Sequence, residues 1–290
     1  FQSRLQSKTT AIVTLIAYVA TSIYKVVLLV LKKPVTYFAF STSVDYICIA
    51  VLLLISYKKY KGAKLSFSKD YGKELLKKSA HFILPGLMVA IYGQTDKIML
   101  KHMISDTEIG YYSTAVSLCN MWCFVLAAII DSLYPPIMEA FKTDREEFDR
   151  KNKILYAIVF YLSVFVSVIF TIFGSLIVNL LYGKEYAGAV APLRVITWYT
   201  AFSYLGVARN AWIVCLDKQK YLKYLYLSAA IANVGLNVLF IPMWGATGAA
   251  VASLSAQIIT TFVVPFFMKD LRKNSVMMLQ AIFLKGIRRK

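Results

Sequence analysis

Charge is scarce in this sequence, and acid is scarcer still. Only 17% of its 290 residues are Asp, Glu, Lys or Arg, and only 15 residues are acidic. There are two histidines, four cysteines and seven prolines. A disordered tail needs high charge and little apolar content, so that class is excluded. A disulfide-stapled secreted domain is cysteine-dense, so that class is excluded too. Cys48, Cys119, Cys123 and Cys215 all lie inside apolar stretches. Cys119 and Cys123 share a helix face, but a zinc site needs about four N or S ligands and no others lie near them in sequence. They are expected to act as small buried apolar side chains, with no metal. His81 and His102 sit at the edges of a stretch and form no metal pair. The sequence also lacks a glycine-rich nucleotide loop, a Gly-x-Ser-x-Gly elbow, a His-Glu-x-x-His pair and an aspartate-rich metal motif. Neither ATP hydrolysis nor a bound cofactor is expected.

What is present is apolar. The chain is 59% hydrophobic, with a mean hydropathy of +0.61, against about 45–50% in a soluble domain. The excess falls in eight blocks, at residues 9–31, 35–57, 79–101, 111–136, 154–181, 190–216, 221–241 and 246–268. Each is near the ~20 residues that cross a bilayer as a helix, and a helix satisfies its own backbone in lipid. The alternating strands of about ten residues that mark a β-barrel do not occur. The expected class is all-α: a polytopic membrane bundle of about eight transmembrane helices.

The net charge of +18 would suggest nucleic acid in a soluble chain. Here the basic residues collect between the blocks, next to anionic lipid head groups, and no nucleic-acid partner is expected. Alternate connections hold 23 Lys and Arg, the border residue Lys153 left aside; the opposite ones, with Lys101 at the border included, hold 4. This asymmetry places both ends of the chain in the cytoplasm. The connection 58–78 is the most basic and reads as a linker ending in a short surface helix near 69–78. The connection 139–153 mixes both signs at helical spacing, as a solvated face does. Pro242-Met-Trp-Gly245 is a tight turn, so the last two blocks are antiparallel neighbours. The first residue is Phe rather than Met, and the sequence reads as a fragment without its N-terminal part.

A charge near the bilayer centre costs at least about 2.5–3.5 kcal/mol, so intramembrane charges should face protein or water. The candidates are Lys25, Asp45, Asp96, Lys97, Asp131, Arg194 and Arg209. The long stem of Lys25 can snorkel. Asp45 is too short to do so and needs a partner. Asp96 and Lys97 suit either an ion pair or ion coupling. Asp131 belongs to the cytoplasmic rim. Arg194 and Arg209 are fifteen residues apart on one helix, hence about 60° apart around its axis and about 22 Å along it. Arginine stays charged and grips phosphate or carboxylate in a fork. Two such groups on one face suit a path for an anionic substrate, and equally two snorkelling or interhelical arginines. Pro85-Gly86 interrupts its block and is a candidate hinge or a static kink.

Three stretches carry a resemblance. They are Ile91-Tyr-Gly-Gln-Thr-Asp96-Lys-Ile-Met-Leu with Ser105-Asp-Thr-Glu-Ile-Gly110-Tyr-Tyr-Ser-Thr-Ala115; Leu181-Tyr-Gly183-Lys-Glu-Tyr186-Ala; and Asn233-Val-Gly-Leu-Asn237-Val-Leu-Phe-Ile-Pro242-Met-Trp-Gly245-Ala-Thr-Gly248-Ala-Ala. Together they resemble the bacterial O-antigen-type polysaccharide flippases of the multidrug/oligosaccharidyl-lipid/polysaccharide exporter superfamily. The resemblance implies two helical lobes related by an internal repeat. Residues 1–60 would be the last two helices of the first lobe, 61–78 a basic cytoplasmic linker, 79–268 the six-helix second lobe and 269–290 a basic tail. A shift of 212 residues places Lys25 on Asn237, Ser41 on Ser253 and Asp45 on Gln257.

The resemblance further implies a non-enzymatic flippase of the bacterial cytoplasmic membrane. It would move an undecaprenyl-pyrophosphate-linked oligosaccharide outward by alternating access. Lys25, Arg194 and Arg209 are the positions that would line its cationic path, and Asp45 and Asp96 the acids for ion coupling. Its partners would be the anionic lipid-linked oligosaccharide, anionic membrane lipids and other polysaccharide-assembly membrane proteins. A multidrug–cation antiporter of the same superfamily and a membrane glycan polymerase are the alternatives. The lipid-linked peptidoglycan-precursor flippases are a further relative, but they carry extra helices after the second lobe, and the tail here is too short to span.

Overall fold

The computed structural model describes the backbone of residues 7–60 and 68–286, with the side chains of all of these except 7, 8, 35 and 77–92. Among the described residues every regular element is helical, as the uninterrupted apolar blocks require in lipid. The chain divides into two compact units, Phe1–Leu75 and Leu76–Lys290.

In the first unit, α1 (Ser7–Val30), the short α2 (Val35–Ala39) and α3 (Ser41–Lys59) form a helical hairpin. Block two, read as one helix, is therefore two, with a break at Phe40.

α4 (Lys69–Met103) begins in the first unit and ends in the second, which further holds α5 (Asp106–Asn120), α6 (Cys123–Thr143), α7 (Arg145–Tyr182), α8 (Val190–Cys215), α9 (Leu222–Ile258), a π turn at Ile259–Val263, α10 (Val264–Phe267) and α11 (Lys269–Ile282). The surface helix expected near 69–78 does not stop there; it is the beginning of the 35-residue α4. Block four is likewise two helices, α5 and α6, parted at Met121–Trp122.

Among the described residues, five helical stretches are long and apolar enough to cross a membrane: Thr9–Val30, Thr36–Lys59, Asp106–Thr143, Arg145–Tyr182 and Gln219–Phe267. Large apolar side chains stand exposed along them, among them Leu180 at 78% and Phe165 at 64%. A water-soluble monomer does not display so much contiguous apolar surface. In lipid these side chains are solvated.

Local chemistry sets the helix ends. Asp144 accepts from the N–H groups of Glu146 (2.8 Å) and Glu147 (3.2 Å), capping α7. Ser105 accepts from Glu108 N–H at 3.4 Å and caps α5. Ser105-x-x-Glu108 is the sequence of a capping box. The Glu108 carboxylate does not close it; instead it accepts from Ala246 N–H at 2.6 Å, satisfying an orphan donor where α9 restarts.

That restart follows Gly245, whose φ of 54° and ψ of −129° no L side chain adopts comfortably. A straight α9 would put residues 233 and 253 about 30 Å apart. Their side chains meet at 3.1 Å, so the 49-residue stretch is a hairpin of two arms, with Phe240 and Trp244 stacked near its tip (5.4 Å). This is the tight turn expected at Pro242–Gly245.

α8 is the central helix, packing against α5, α6, α7 and α9. α11 presents Leu271, Met277, Met278 and Ala281 to the bundle. It is tied there by Lys273–Asp149 (2.6 Å) and by Asn274 donating to Tyr156 (2.7 Å). It is too short to span a membrane.

Candidate functional site

Two neighbouring cavities in the second unit gather the polar residues that sit inside apolar helices. Gly93 and Tyr199 line both.

The first, of about 200 Å³, is acidic. Asp96, on α4, is only 7% exposed. Its Oδ1 accepts from Asn233 (3.0 Å) and Asn237 (2.6 Å) on the first arm of α9. Its Oδ2 accepts from Ser253 (2.6 Å) on the second arm and from the Tyr112 hydroxyl on α5. Four neutral donors converge on two oxygens, near the full acceptor capacity of a carboxylate. Asn237 also donates to Asn233 Oδ1 at 3.1 Å. Asn237 Oδ1 is buried and has no partner. The site therefore depends on the hairpin: Asn233 and Asn237 are one helical turn apart, and the reversal at Gly245 brings Ser253 back to them. It can hold a buried negative charge without a bonded cation, and it carries one spare buried oxygen.

The second cavity, of about 290 Å³, is basic. Arg209 on α8 lines it and is only 5% exposed. Its Nη1 donates to the Thr261 carbonyl at 3.4 Å, and its Nε is buried with no partner. No carboxylate among the described residues pairs with it. Asn210, Ser203, Tyr226 and Gln257 add polar groups to the wall. A buried cation without a counter-charge is costly, and its cavity is a place for an anion.

The other expected site residues are dispersed. Arg194 shares α8 with Arg209 but is exposed, its stem against α7 near Gly174; only one of the two arginines lines the cavity. Asp45 accepts from Thr21 at 3.1 Å and is half-buried, while Lys25 is exposed on α1, both in the first unit. Lys97 is half-buried, and Asp96 bonds to neutral donors rather than to it. Asp131 is exposed on α6. The candidate hinge at Pro85 and Gly86 lies within α4, outside the residues whose side chains are described.

Sequence reasoning gave no site role to Tyr112, Asn233, Asn237, Ser253 or Gln257. The available signal was Asn233 and Asn237, two amides at i,i+4 spacing in an otherwise apolar block.

The fold and its polar interior define a polytopic, all-helical membrane protein. Residues 1–191 match the family described as polysaccharide biosynthesis protein. The chain belongs to that family. It is 20% identical over 250 residues to an uncharacterized membrane protein of Methanocaldococcus jannaschii, an alignment covering 81% of this chain. The chain spans about half (49%) of that curated relative's length. No solved structure matches the chain.

Proposed function

We propose that the protein is a flippase without enzymatic activity. It carries an undecaprenyl-pyrophosphate-linked oligosaccharide across the bacterial cytoplasmic membrane by alternating access between two helical lobes. Both ends of the chain lie on the cytoplasmic side, near anionic lipids and other membrane proteins of polysaccharide assembly. The observation that carries this reading is Arg209: a buried guanidinium with a free Nε, facing a cavity in a membrane-embedded member of a polysaccharide family. Guanidinium binds phosphate as a fork and cannot lose its charge.

Asp96 is the proposed coupling acid. A proton or a monovalent cation joining its carboxylate would compete with the four donors, linking ion occupancy to the packing of α4, α5 and both arms of α9.

The buried acid also favours a second reading, the multidrug–cation antiporter, because an acidic cavity suits a cationic drug.

One genetic experiment separates these readings. The full-length gene is deleted in its host and complemented with wild type, Arg194→Ala or Arg209→Ala. Loss of surface glycan with accumulation of complete lipid-linked units inside, rescued by wild type and not by Arg209→Ala, is expected of the flippase. Unpolymerised units displayed outside would point to a polymerase. Unchanged glycan with new drug sensitivity would point to the antiporter.

A further inference from the structure

Thr261 holds two of the polar groups that line the basic cavity. Its carbonyl accepts from Arg209 Nη1 at 3.4 Å, and its hydroxyl accepts from Gln257 Nε2 at 3.1 Å. The same hydroxyl donates to the Phe202 carbonyl at 3.1 Å, fastening the segment to α8.

The first contact falls at an irregular turn. The α-helical donor for the residue 261 carbonyl is the N–H of residue 265, and residue 265 is proline, which has none. The helix around it is wound as a π turn over Ile259–Val263, with Val264 N–H on the Ile259 carbonyl. Single π turns inside helices interrupt the regular ladder and recur at functional sites. Arg209 thus adds a side-chain donor where the helical ladder is irregular, and it does so with one edge of a guanidinium whose Nε stays unpartnered and buried.

We infer that Arg209 has two alternative acceptors, the Thr261 carbonyl and a phosphate-type oxyanion in the cavity, and that the exchange between them repacks the π turn. In the structure Arg209 braces the Thr261 carbonyl. An entering oxyanion takes the fork, because a charged acceptor makes a shorter and stronger hydrogen bond than a neutral carbonyl. The carbonyl then loses its brace, and the π turn, α10 and the connection to α11 rearrange. The cavity, about 290 Å³, takes the phosphate-bearing part of a ligand rather than an oligosaccharide. All the residues involved lie in one unit, so the switch is complete within a single lobe. The inference rests on the flippase reading for the natural ligand; the chemistry itself requires only an oxyanion.

The test uses the purified full-length protein in phosphatidylcholine nanodiscs, with inorganic pyrophosphate as the probe. Binding is followed calorimetrically and amide exchange is read over residues 259–268. Wild type is expected to bind pyrophosphate and to change exchange in that segment. Arg209→Gln is expected to bind at least about tenfold more weakly. Pro265→Ala permits the α-helical register, in which the N–H of residue 265 reaches the Thr261 carbonyl. It is expected to bind pyrophosphate at least as tightly as wild type while losing the exchange response. A parallel disc containing phosphatidylglycerol and no pyrophosphate separates the sources: the same exchange change there assigns the oxyanion to a lipid head group. The switch is overturned by an absence of binding in wild type, by binding without an exchange change, or by a full exchange response in Pro265→Ala. Glycan complementation reports on the flippase reading alone, so either conclusion can fall without the other.

Discussion

Asn233 donates to Ser253 across 3.1 Å although twenty residues separate them on what is nominally one helix. The contact exists because Gly245 turns the chain back on itself, and it places both arms of α9 around the Asp96 carboxylate. Gly248 makes the return close: a Cβ there would run into the backbone carbonyl of Phe240. A carbonyl of a packed helix cannot swing aside as a side chain can.

Gly248→Ala is therefore expected to cost about 1–3 kcal/mol or more through overpacking against backbone. The contrasting variant is Gly235→Ala in the first arm, where a Cβ meets nothing within 4 Å. There alanine is expected to gain up to about 1 kcal/mol from helix propensity. Thermal melts of both variants in detergent check the pair; equal melting temperatures would contradict the geometry.

Asp96 is expected to tolerate asparagine and not leucine. An amide keeps one oxygen for Asn233 and Asn237, while its NH₂ donates to the Tyr112 and Ser253 hydroxyls, which can turn to accept. Leucine leaves four buried donors without an acceptor, each costing about 1–3 kcal/mol. The expected order of stability is wild type near Asp96→Asn, with Asp96→Leu lower by at least about 3 kcal/mol. If Asp96 couples an ion, Asp96→Asn folds but loses the ion dependence of transport. A collapsed Asp96→Asn would instead make the carboxylate purely structural.

Arg209→Met is expected to fold about as stably as wild type, because removing a buried, unpaired charge offsets the loss of its brace on the Thr261 carbonyl. Surface glycan is nevertheless expected to be lost. A melting temperature lowered by several degrees would mean that the guanidinium holds the bundle together and is not reserved for an anion.

The anchoring of α11 is expected to depend on pH through Asp270. The Tyr221 hydroxyl and then Lys218 hold its carboxyl below the ordinary carboxylate range. Lys218 lies 3.3 Å from Asp270 Oδ1 and also donates to its backbone carbonyl at 2.5 Å. A lowered native value stabilises the fold above the unfolded value of about 3.9, and that contribution is lost as pH falls through the native value. Protection of α11 amides should thus stay flat from pH 7 to 5 and fall below about pH 4. In Asp270→Asn that acid step should shrink. An unaltered step in the variant would assign it to other carboxylates.

Much of this architecture was legible before any coordinates. The apolar blocks and the turn at Pro242–Gly245 follow from composition and period, which are local. Asp96 and Arg209 stood out because a charge in an apolar block is expensive wherever it ends up. Less legible were the breaks. Phe40 and Met121–Trp122 interrupt apolar runs without a proline or glycine to mark them, because packing rather than propensity sets those ends. The equivalence of Arg194 and Arg209 was misleading: residues about 60° apart on one helix can differ completely in burial, since the neighbours of α8 change along its length.

The sequence by itself determined that this protein is a helical membrane bundle and which charges its interior must accommodate, because hydropathy and backbone satisfaction in lipid are properties of each segment alone. Only the tertiary structure decided what those charges meet. Asp96 finds Tyr112, Asn233, Asn237 and Ser253 from three other helical arms, and Arg209 finds the Thr261 carbonyl in the π turn. Partners 16 to 157 residues apart in the chain are brought within hydrogen-bond distance by packing alone, and no local pattern encodes which of the many polar side chains in apolar helices will converge.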